Sequence, residues 1–366
     1  MKLKITKDAM LTGLQRVQSV IGPRTTLPVL QNILFKAEKD KLWLLATDLD
    51  LTVRTGVAAE VAKAGATTLP ARRCAGLFKE LPPGDIELDT DDKDQTSIRS
   101  GSAFFKIIGI SEDEFPPAPR FEAAKNYTLD QGTFRDMLRN VSCAASTDES
   151  RYVLNGILLS FRGDKLAVVA TDGRRMALYE QEVEFPKEAE ADLIIPAKTV
   201  NELLRTLGEK GAIRIQATDK QVAFEFDDMY IMSKLMEGSY PNFRQVIPAQ
   251  GKDLERIKLE REALLTTVRR VAVVASEASN SVRLSFSKNK LEVSANAPDV
   301  GEAREVLPIE YTGKAISVAF NPMFLMDPLR NLVSDEVFME LTNDLSPGVL
   351  KCNVPFLYVL MPMRLN

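Results

Sequence analysis

One pattern occurs three times along this chain, in the same order and at nearly constant spacing. It first reads Asn32-Ile33-Leu34-Phe35, then Lys41-Leu42-Trp43-Leu44-Leu45-Ala46-Thr47-Asp48. It returns as Asn155-Gly156-Ile157-Leu158-Leu159, then Lys165-Leu166-Ala167-Val168-Val169-Ala170-Thr171-Asp172. The third copy is Val282-Arg283-Leu284-Ser285-Phe286, then Lys290-Leu291-Glu292-Val293-Ser294-Ala295-Asn296. The Lys-Leu pairs begin at 41, 165 and 290, spacings of 124 and 125. A second motif, Leu69-Pro70-Ala71 leading to Lys79, recurs as Ile195-Pro196-Ala197 leading to Arg205, and more loosely as Phe320-Asn321-Pro322 leading to Arg330. Proline there suits a first helical turn, where its missing N–H is no loss. Apolar residues at helical spacing open each copy, near 8–20, 131–144 and 261–274, with Arg16, Arg139 and Arg269 or Arg270 in corresponding turns.

Such a period is too long for a solenoid and has the length of a domain. Phe115-Pro116-Pro117-Ala118-Pro119 and Ile247-Pro248-Ala249-Gln250-Gly251 mark the boundaries, giving domains of 1–120, 121–249 and 250–366. Each reads as helix, alternating strands, helix, then more strands, such as 213–217 and 222–226. Two helices to roughly eight short strands is α+β, not a doubly wound parallel sheet. Strands at domain edges can join edge to edge, and closing the assembly removes exposed edges.

The chain has no histidine, which excludes histidine-based triads and general bases and most zinc sites. It has no GxGxxG, GxxxxGK[ST] or GxSxG. No apolar run reaches the length of a membrane span, and the start lacks a signal-peptide pattern. Cys74, Cys143 and Cys352 are far apart with no CxxC, which reads as reduced thiols in the cytoplasm. The net charge of −4 opposes binding to nucleic acid unless the basic residues are segregated. The predicted helices do collect them: Lys7, Arg16, Arg72, Arg73, Lys79, Arg135, Arg139, Lys198, Arg205, Arg261, Arg269, Arg270 and Arg330. The residues alone leave two readings of this set, a phosphate-attracting surface or ordinary solvated helix faces. They also leave two rival functions, an enzyme using Thr47-Asp48 and Thr171-Asp172, or a monomeric peptide-binding module. The third repeat weakens the former, with Asn296 in place of the acid.

Several motifs go further. Arg24-Thr25-Thr26-Leu27-Pro28-Val29-Leu30-Gln31-Asn32, Arg151-Tyr152-Val153-Leu154-Asn155-Gly156-Ile157, Ala170-Thr171-Asp172-Gly173-Arg174-Arg175-Met176-Ala177, Tyr240-Pro241-Asn242-Phe243 and the terminal Tyr358-Val359-Leu360-Met361-Pro362-Met363-Arg364-Leu365 resemble the DNA polymerase III beta subunit family, the bacterial sliding clamps. The resemblance spans the whole chain. It implies an α+β fold of three tandem DNA-clamp domains and a head-to-tail homodimeric ring, with helices lining the hole and sheets outside. The function implied is that of a non-catalytic processivity factor, without cofactor or membrane association. Such a ring slides on double-stranded DNA without sequence preference. It tethers the replicative polymerase alpha subunit, the clamp-loader delta subunit and other proteins with a clamp-binding motif.

Carried over residue by residue, the resemblance assigns a client-peptide pocket to Leu154, Thr171, Gly173, Arg174, Arg175, Met176, Pro241, Val246, Leu345, Ser346, Val359, Met361, Pro362, Met363, Arg364 and Leu365. It points to DNA contacts at Arg24, Asp148, Arg151 and Tyr152, beside the helix cations Arg73, Lys79, Arg139, Lys198, Arg205 and Arg269. It sets the dimer seam at Phe105 and Ile107 against Val273 and Val274, with Arg72, Arg73 and Arg99 facing Asp299, Glu302 and Glu305. The chain departs from the family pattern at Asp148, Val153, Arg174, Gln245, Arg304 and the extra Asn366.

Overall fold

The structure, a computed structural model, describes residues 1–22, 27–117, 125–249, 251, 253–275, 280–298 and 300–364. Among them, six α-helices fall where the repeat puts them: α1 (Lys7–Val17), α2 (Ala71–Glu80), α3 (Gln131–Ser142), α4 (Ala197–Thr206), α5 (Arg261–Val271) and α6 (Pro322–Asn331). A strand precedes each odd-numbered helix: Lys2–Thr6, Lys125–Asp130 and Glu255–Glu260. Helical periodicity did not announce these strands, but each carries a short alternation. Leu3 and Ile5, Tyr127 and Leu129, and Ile257 and Leu259 are buried while the residues between them are not, the period of two that defines a strand with one covered face.

Local chemistry sets the helix starts. Thr6 Oγ1 accepts the Ala9 amide at 3.3 Å, and Asn321 Oδ1 accepts those of Met323 and Phe324 at 2.9 and 3.4 Å ahead of Pro322 in the first turn of α6. The other two motif prolines behave differently. Pro70 and Pro196 close the strands Gly65–Pro70 and Ala191–Pro196, one residue before α2 and α4. Along α1, Met10, Leu14 and Val17 are at most 1% exposed. Burial at about 2 kcal/mol per such side chain holds an 11-residue helix that would be marginal alone.

The chain forms two compact units, Met1–Gly132 with Asn201–Leu235, and Thr133–Val200 with Met236–Asn366. All strand neighbours are antiparallel. In the first unit one sheet runs Glu60–Lys63, Lys2–Thr6, Asp85–Thr90, Gln95–Ser100, Ala103–Ile108. Its second sheet runs Lys125–Asp130, Ala212–Ala217, Gln221–Phe226, Met229–Lys234, Leu51–Ala58, Lys41–Thr47, Asn32–Glu38, Gly65–Pro70. In the second unit the larger sheet runs Ala191–Pro196, Gly156–Arg162, Lys165–Thr171, Arg175–Glu182, Phe356–Leu360, Gly348–Lys351, Glu336–Leu341, Glu255–Glu260. The smaller runs Gly301–Pro308, Lys290–Ala297, Val282–Ser287, Ile316–Phe320. The units cut the second repeat because hydrogen bonding continues across repeat boundaries: Met229–Lys234 pairs with Leu51–Ala58, and Phe356–Leu360 with Arg175–Glu182.

Candidate functional site

The turn between Lys165–Thr171 and Arg175–Glu182 is built by its own side chains. Thr171 Oγ1 donates to Arg175 O at 2.7 Å and accepts from Gly173 N at 3.1 Å. Asp172 Oδ1 accepts from Arg174 N and Arg175 N at 2.9 and 3.0 Å. Gly173 sits at φ +82°, a left-handed conformation glycine takes without steric cost. Asp48 makes the same turn in the first repeat, accepting from Asp50 N and Leu51 N. Both Thr-Asp pairs are therefore turn formers whose carboxylates bind backbone amides.

Arg175 is 10% exposed at its side chain and fully engaged. Its Nε donates to Asp172 Oδ2 at 3.0 Å, and Nη1 donates to Asp327 Oδ2 at 2.5 Å and Tyr358 Oη at 3.3 Å. The Phe324 ring lies 4.2 Å from the guanidinium. Burial opposes the charge, but Tyr358 and Asp327 outweigh it and raise the pKa above the usual arginine value. The Tyr358 hydroxyl in turn donates to Phe324 O at 3.0 Å. That carbonyl is open because Pro328, four residues on in α6, has no N–H to give it. One proline inside a helix thus fixes the phenol that braces the arginine.

Beside this network Leu158, Ala167, Val169, Met176, Leu178, Ile194, Met236 and Val359 form an apolar floor, on which Val153, Tyr240, Phe243, Ile247 and Leu357 pack half-buried. Tyr240 Oη accepts from Thr171 N at 3.1 Å. Met361 N donates to Arg174 O at 3.0 Å and Met363 N to Ala319 O at 2.8 Å, so the segment around Pro362 is tied to the turn on one side and to the strand Ile316–Phe320 on the other. Asn343 Oδ1 accepts the amides of Leu345 and Ser346. Of the expected pocket, Thr171, Arg175, Met176 and Val359 meet at this turn and floor. Leu154, Ser346, Pro362 and Met363 are half-buried, and Gly173, Arg174, Pro241, Val246, Leu345, Met361 and Arg364 are exposed. Leu365 lies outside the described residues. The sequence reading missed most of the floor and the Tyr240 hydroxyl, although Tyr240-Pro241-Asn242-Phe243 was a readable motif.

A polar cavity of about 300 Å³ also borders the turn, lined by Ser146, Asp148, Arg151, Asp172, Arg174, Arg175 and Phe324 among others. Asp148, expected as a DNA contact, is bonded locally. It caps the short segment Glu149–Asn155, accepting from Ser150 N and Ser150 Oγ at 3.0 and 2.7 Å. Those hydrogen bonds hold its carboxyl below the usual range. Arg151 donates to Asp172 O at 2.9 Å, and Tyr152 is 57% exposed.

The helix cations separate into two kinds. Arg73 and Lys79 on α2, Lys198 on α4 and Arg269 on α5 are exposed; Arg139 on α3 is half-buried and pairs with Asp136 at 3.0 Å. Arg205, also expected at DNA, is engaged within the chain. It pairs closely with Glu202 and donates to Gln15 O, Arg16 O and Ser19 Oγ at 2.5, 2.7 and 2.9 Å, fastening α4 to the end of α1. Arg24 lies outside the described residues.

At the expected seam, Ala103–Ile108 and Gly301–Pro308 are both sheet edges. Phe104, Phe105 and Ile108 are 56, 39 and 72% exposed, and Val273 is 79% exposed; Ile107 and Val274 are half-buried, and Arg72, Arg99 and Glu302 are exposed. Phe105 is therefore not a core residue. Glu305 accepts from Arg270 Nε at 2.9 Å and Thr267 Oγ1 at 3.0 Å, so its charge is met within its own domain. Asp299 lies outside the described residues.

Models of the DNA polymerase III beta subunit match the chain as N-terminal domain over residues 1–119, central domain over 128–242 and C-terminal domain over 244–364. Beta sliding clamps of Chlamydia muridarum and Escherichia coli are 34% and 30% identical to it, each covering 100% of both chains. A sliding clamp from Pseudomonas aeruginosa bound to griselimycin superposes with a TM-score of 0.95 at 30% identity, and one from Bacillus subtilis with 0.93 at 26%, each over 100% of both chains.

Proposed function

Because the chain belongs to the DNA polymerase III beta subunit family, the bacterial sliding clamps, we propose that two copies close head to tail into a ring around duplex DNA. As a family member it is a non-catalytic processivity factor of DNA replication, with DNA and a polymerase as partners.

The observation that carries the ring is a shared register. In each internal joint, the last strand of one repeat pairs with the fourth strand of the repeat before it. Ile231 faces Val53 in one and Tyr358 faces Ala177 in the other. These are equivalent positions. Val53 and Ala177 lie opposite Ala46 and Ala170 on the third strand, while Ile231 and Tyr358 lie opposite Phe224 and Leu350. The remaining strands of these two kinds are the free edges Ala103–Ile108 and Gly301–Pro308. There Ala303 lies opposite Ala295, and Phe105 opposite Ile98. The same register sets Phe105 of one copy against Ala303 of a second, Phe104 against Arg304 and Lys106 against Glu302. An arginine already faces an aromatic at the equivalent internal pair, Arg54 against Tyr230, with the guanidinium 5.2 Å from the ring.

The domains fall at 1–120, 121–249 and 250–366. Arg73, Lys79, Arg139, Lys198 and Arg269, with Arg151 and Tyr152, meet phosphate without reading bases. The pocket around Arg175 and the floor beneath Tyr240 takes a short peptide with leucine and phenylalanine anchors. Its donors are the polymerase alpha subunit, the clamp-loader delta subunit and other clients. The site of action is the cytoplasm; among the described residues no helix is long and apolar enough to cross a membrane. The test is mass and topology. The expected species has twice the 40.6 kDa of one chain, stays on nicked circular DNA once loaded and runs off after linearisation. Equal retention on both substrates refutes the ring.

A further inference from the structure

The linker after the first repeat copies the linker after the second: Phe115-Pro116 precedes Tyr240-Pro241 by 125 residues, the repeat period. Tyr240 packs on the pocket floor. Phe115 packs on the equivalent face of the first repeat, against Val29 and Leu45 with Leu34 and Ile110. A cleft of about 300 Å³ remains there, lined by Leu34, Trp43, Leu45, Arg54, Phe115 and Pro116 among others. Leu34, Trp43, Leu45 and Arg54 stand 124 residues before Leu158, Ala167, Val169 and Leu178 of the pocket floor. The fold has therefore built this apolar face twice.

Two of the differences in the first copy belong together. Trp43 lies over Gly56, where a Cβ would come within 2.9 Å of its ring. Arg54 replaces an aliphatic floor residue, its guanidinium 4.9 Å from the Trp43 ring and 5.2 Å from Tyr230. Among the described residues it has no carboxylate partner, and its Nε is shielded from water without a hydrogen bond. Of the two carboxylates that also line the cleft, Glu38 is paired with Lys36 at 2.8 Å and Glu112 acts on the same ammonium. A half-buried guanidinium with unmet donors favours an incoming carboxylate, which forms strong charge-assisted hydrogen bonds.

We propose that this cleft is a second peptide-binding site, for an extended segment that places a leucine or phenylalanine side chain beside a carboxylate. The apolar anchor lies among Leu34, Leu45 and Phe115, and the carboxylate meets Arg54. The site is confined to the first unit, so it stands or falls apart from the ring and from the pocket around Arg175.

Trp43 is the chain's one tryptophan, so its emission reports on this cleft alone. The full-length protein is titrated with acetyl-Leu-Phe-Asp-amide and with acetyl-Leu-Phe-Asn-amide, following Trp43 fluorescence. A saturable change is expected with the acidic peptide, at least tenfold weaker with the neutral one. Arg54→Leu, which restores the residue type of Leu178, should abolish the acidic preference while solution mass and DNA retention stay as in wild type. No saturable response, or equal affinity for the two peptides in the wild-type protein, overturns the proposal without bearing on the ring. The two-peptide comparison needs no variant to fold.

Discussion

Phe105 offers the sharpest test of the seam. At the two internal joints its equivalents, Ile231 and Tyr358, are 0% exposed, whereas Phe105 is 39% exposed on its free edge. If pairing with a second copy brings Phe105 to the burial of its equivalents, about 80 Å² of a ~200 Å² aromatic side chain leaves water. At ~25 cal/mol per Å² that contributes about 2 kcal/mol per seam. A ring of two copies has two seams, so Phe105→Ala should cost about 4 kcal/mol of dimer stability. This is roughly a thousandfold in Kd at 1.4 kcal/mol per decade. Sedimentation velocity over a dilution series measures it, with far-UV circular dichroism to show that the monomer stays folded, as expected when an exposed edge residue is shortened. A Kd within threefold of wild type refutes the reasoning. The register has its own check. In a Phe105→Cys, Ala303→Cys protein, facing positions lie within disulfide reach, so oxidation should link the copies covalently. Ile108→Cys with Ala303→Cys, three residues out of register, should not.

Asp327→Asn removes one of the two carboxylates that brace Arg175; a loss of about 2–3 kcal/mol is expected for a charged hydrogen bond, seen as a lower Tm, with at least tenfold weaker binding of a leucine–phenylalanine peptide by fluorescence anisotropy. Lys79→Ala should lower the slope of log K against log salt by about 0.9 for each phosphate left without its cation, whereas Arg205→Ala should leave that slope unchanged and lower Tm, because Arg205 holds α4 to α1. Burial pushes the thiol of Cys74 up to about 12 and that of Cys143 to about 11, and raises that of Cys352. A raised thiol pKa keeps the unreactive protonated form, so Ellman's reagent at pH 8 should react slowly with the native protein and quickly with three thiols in guanidinium; fast reaction of all three in the native state would contradict the burial.

The sequence made the repeat legible because the Lys-Leu pairs and helix-opening motifs are local. The helices followed. The pocket floor was not legible for a physical reason. Lys165–Thr171 is buried on five consecutive residues, so both faces of the strand are apolar and no alternation marks which side chains face a ligand. The intrachain partners of Arg205 and Glu305 were not legible for another reason. Their partners lie across the fold, Arg205 bonding Gln15 and Arg16 nearly 190 residues away and Glu305 bonding Arg270. Helix position reveals that a charge is on a helix; only the neighbouring elements decide whether it is spent.

The free edges also bear on why the assembly should be mixed rather than symmetric. An exposed edge bearing Phe104, Phe105 and Ile108 invites pairing with any strand, including its own copy. A twofold pairing of Ala103–Ile108 with itself, centred between Phe105 and Lys106, sets each Lys106 opposite a phenylalanine and gives it no carboxylate. A twofold pairing of Gly301–Pro308 with itself gains no aromatic for Arg304. The mixed register sets Lys106 against Glu302 and Phe104 against Arg304, so each charge finds a partner and both edges vanish together. The charges on these strands thus discriminate among pairings more than they add affinity. The internal joints show the complementary case. At the fixed junctions the pairs equivalent to Lys106 and Glu302 are Met232 facing Thr52 and Val359 facing Met176, neither of them charged, because covalent connection already selects the partner. A seam that must find its partner in solution needs the charges that a tethered joint can omit.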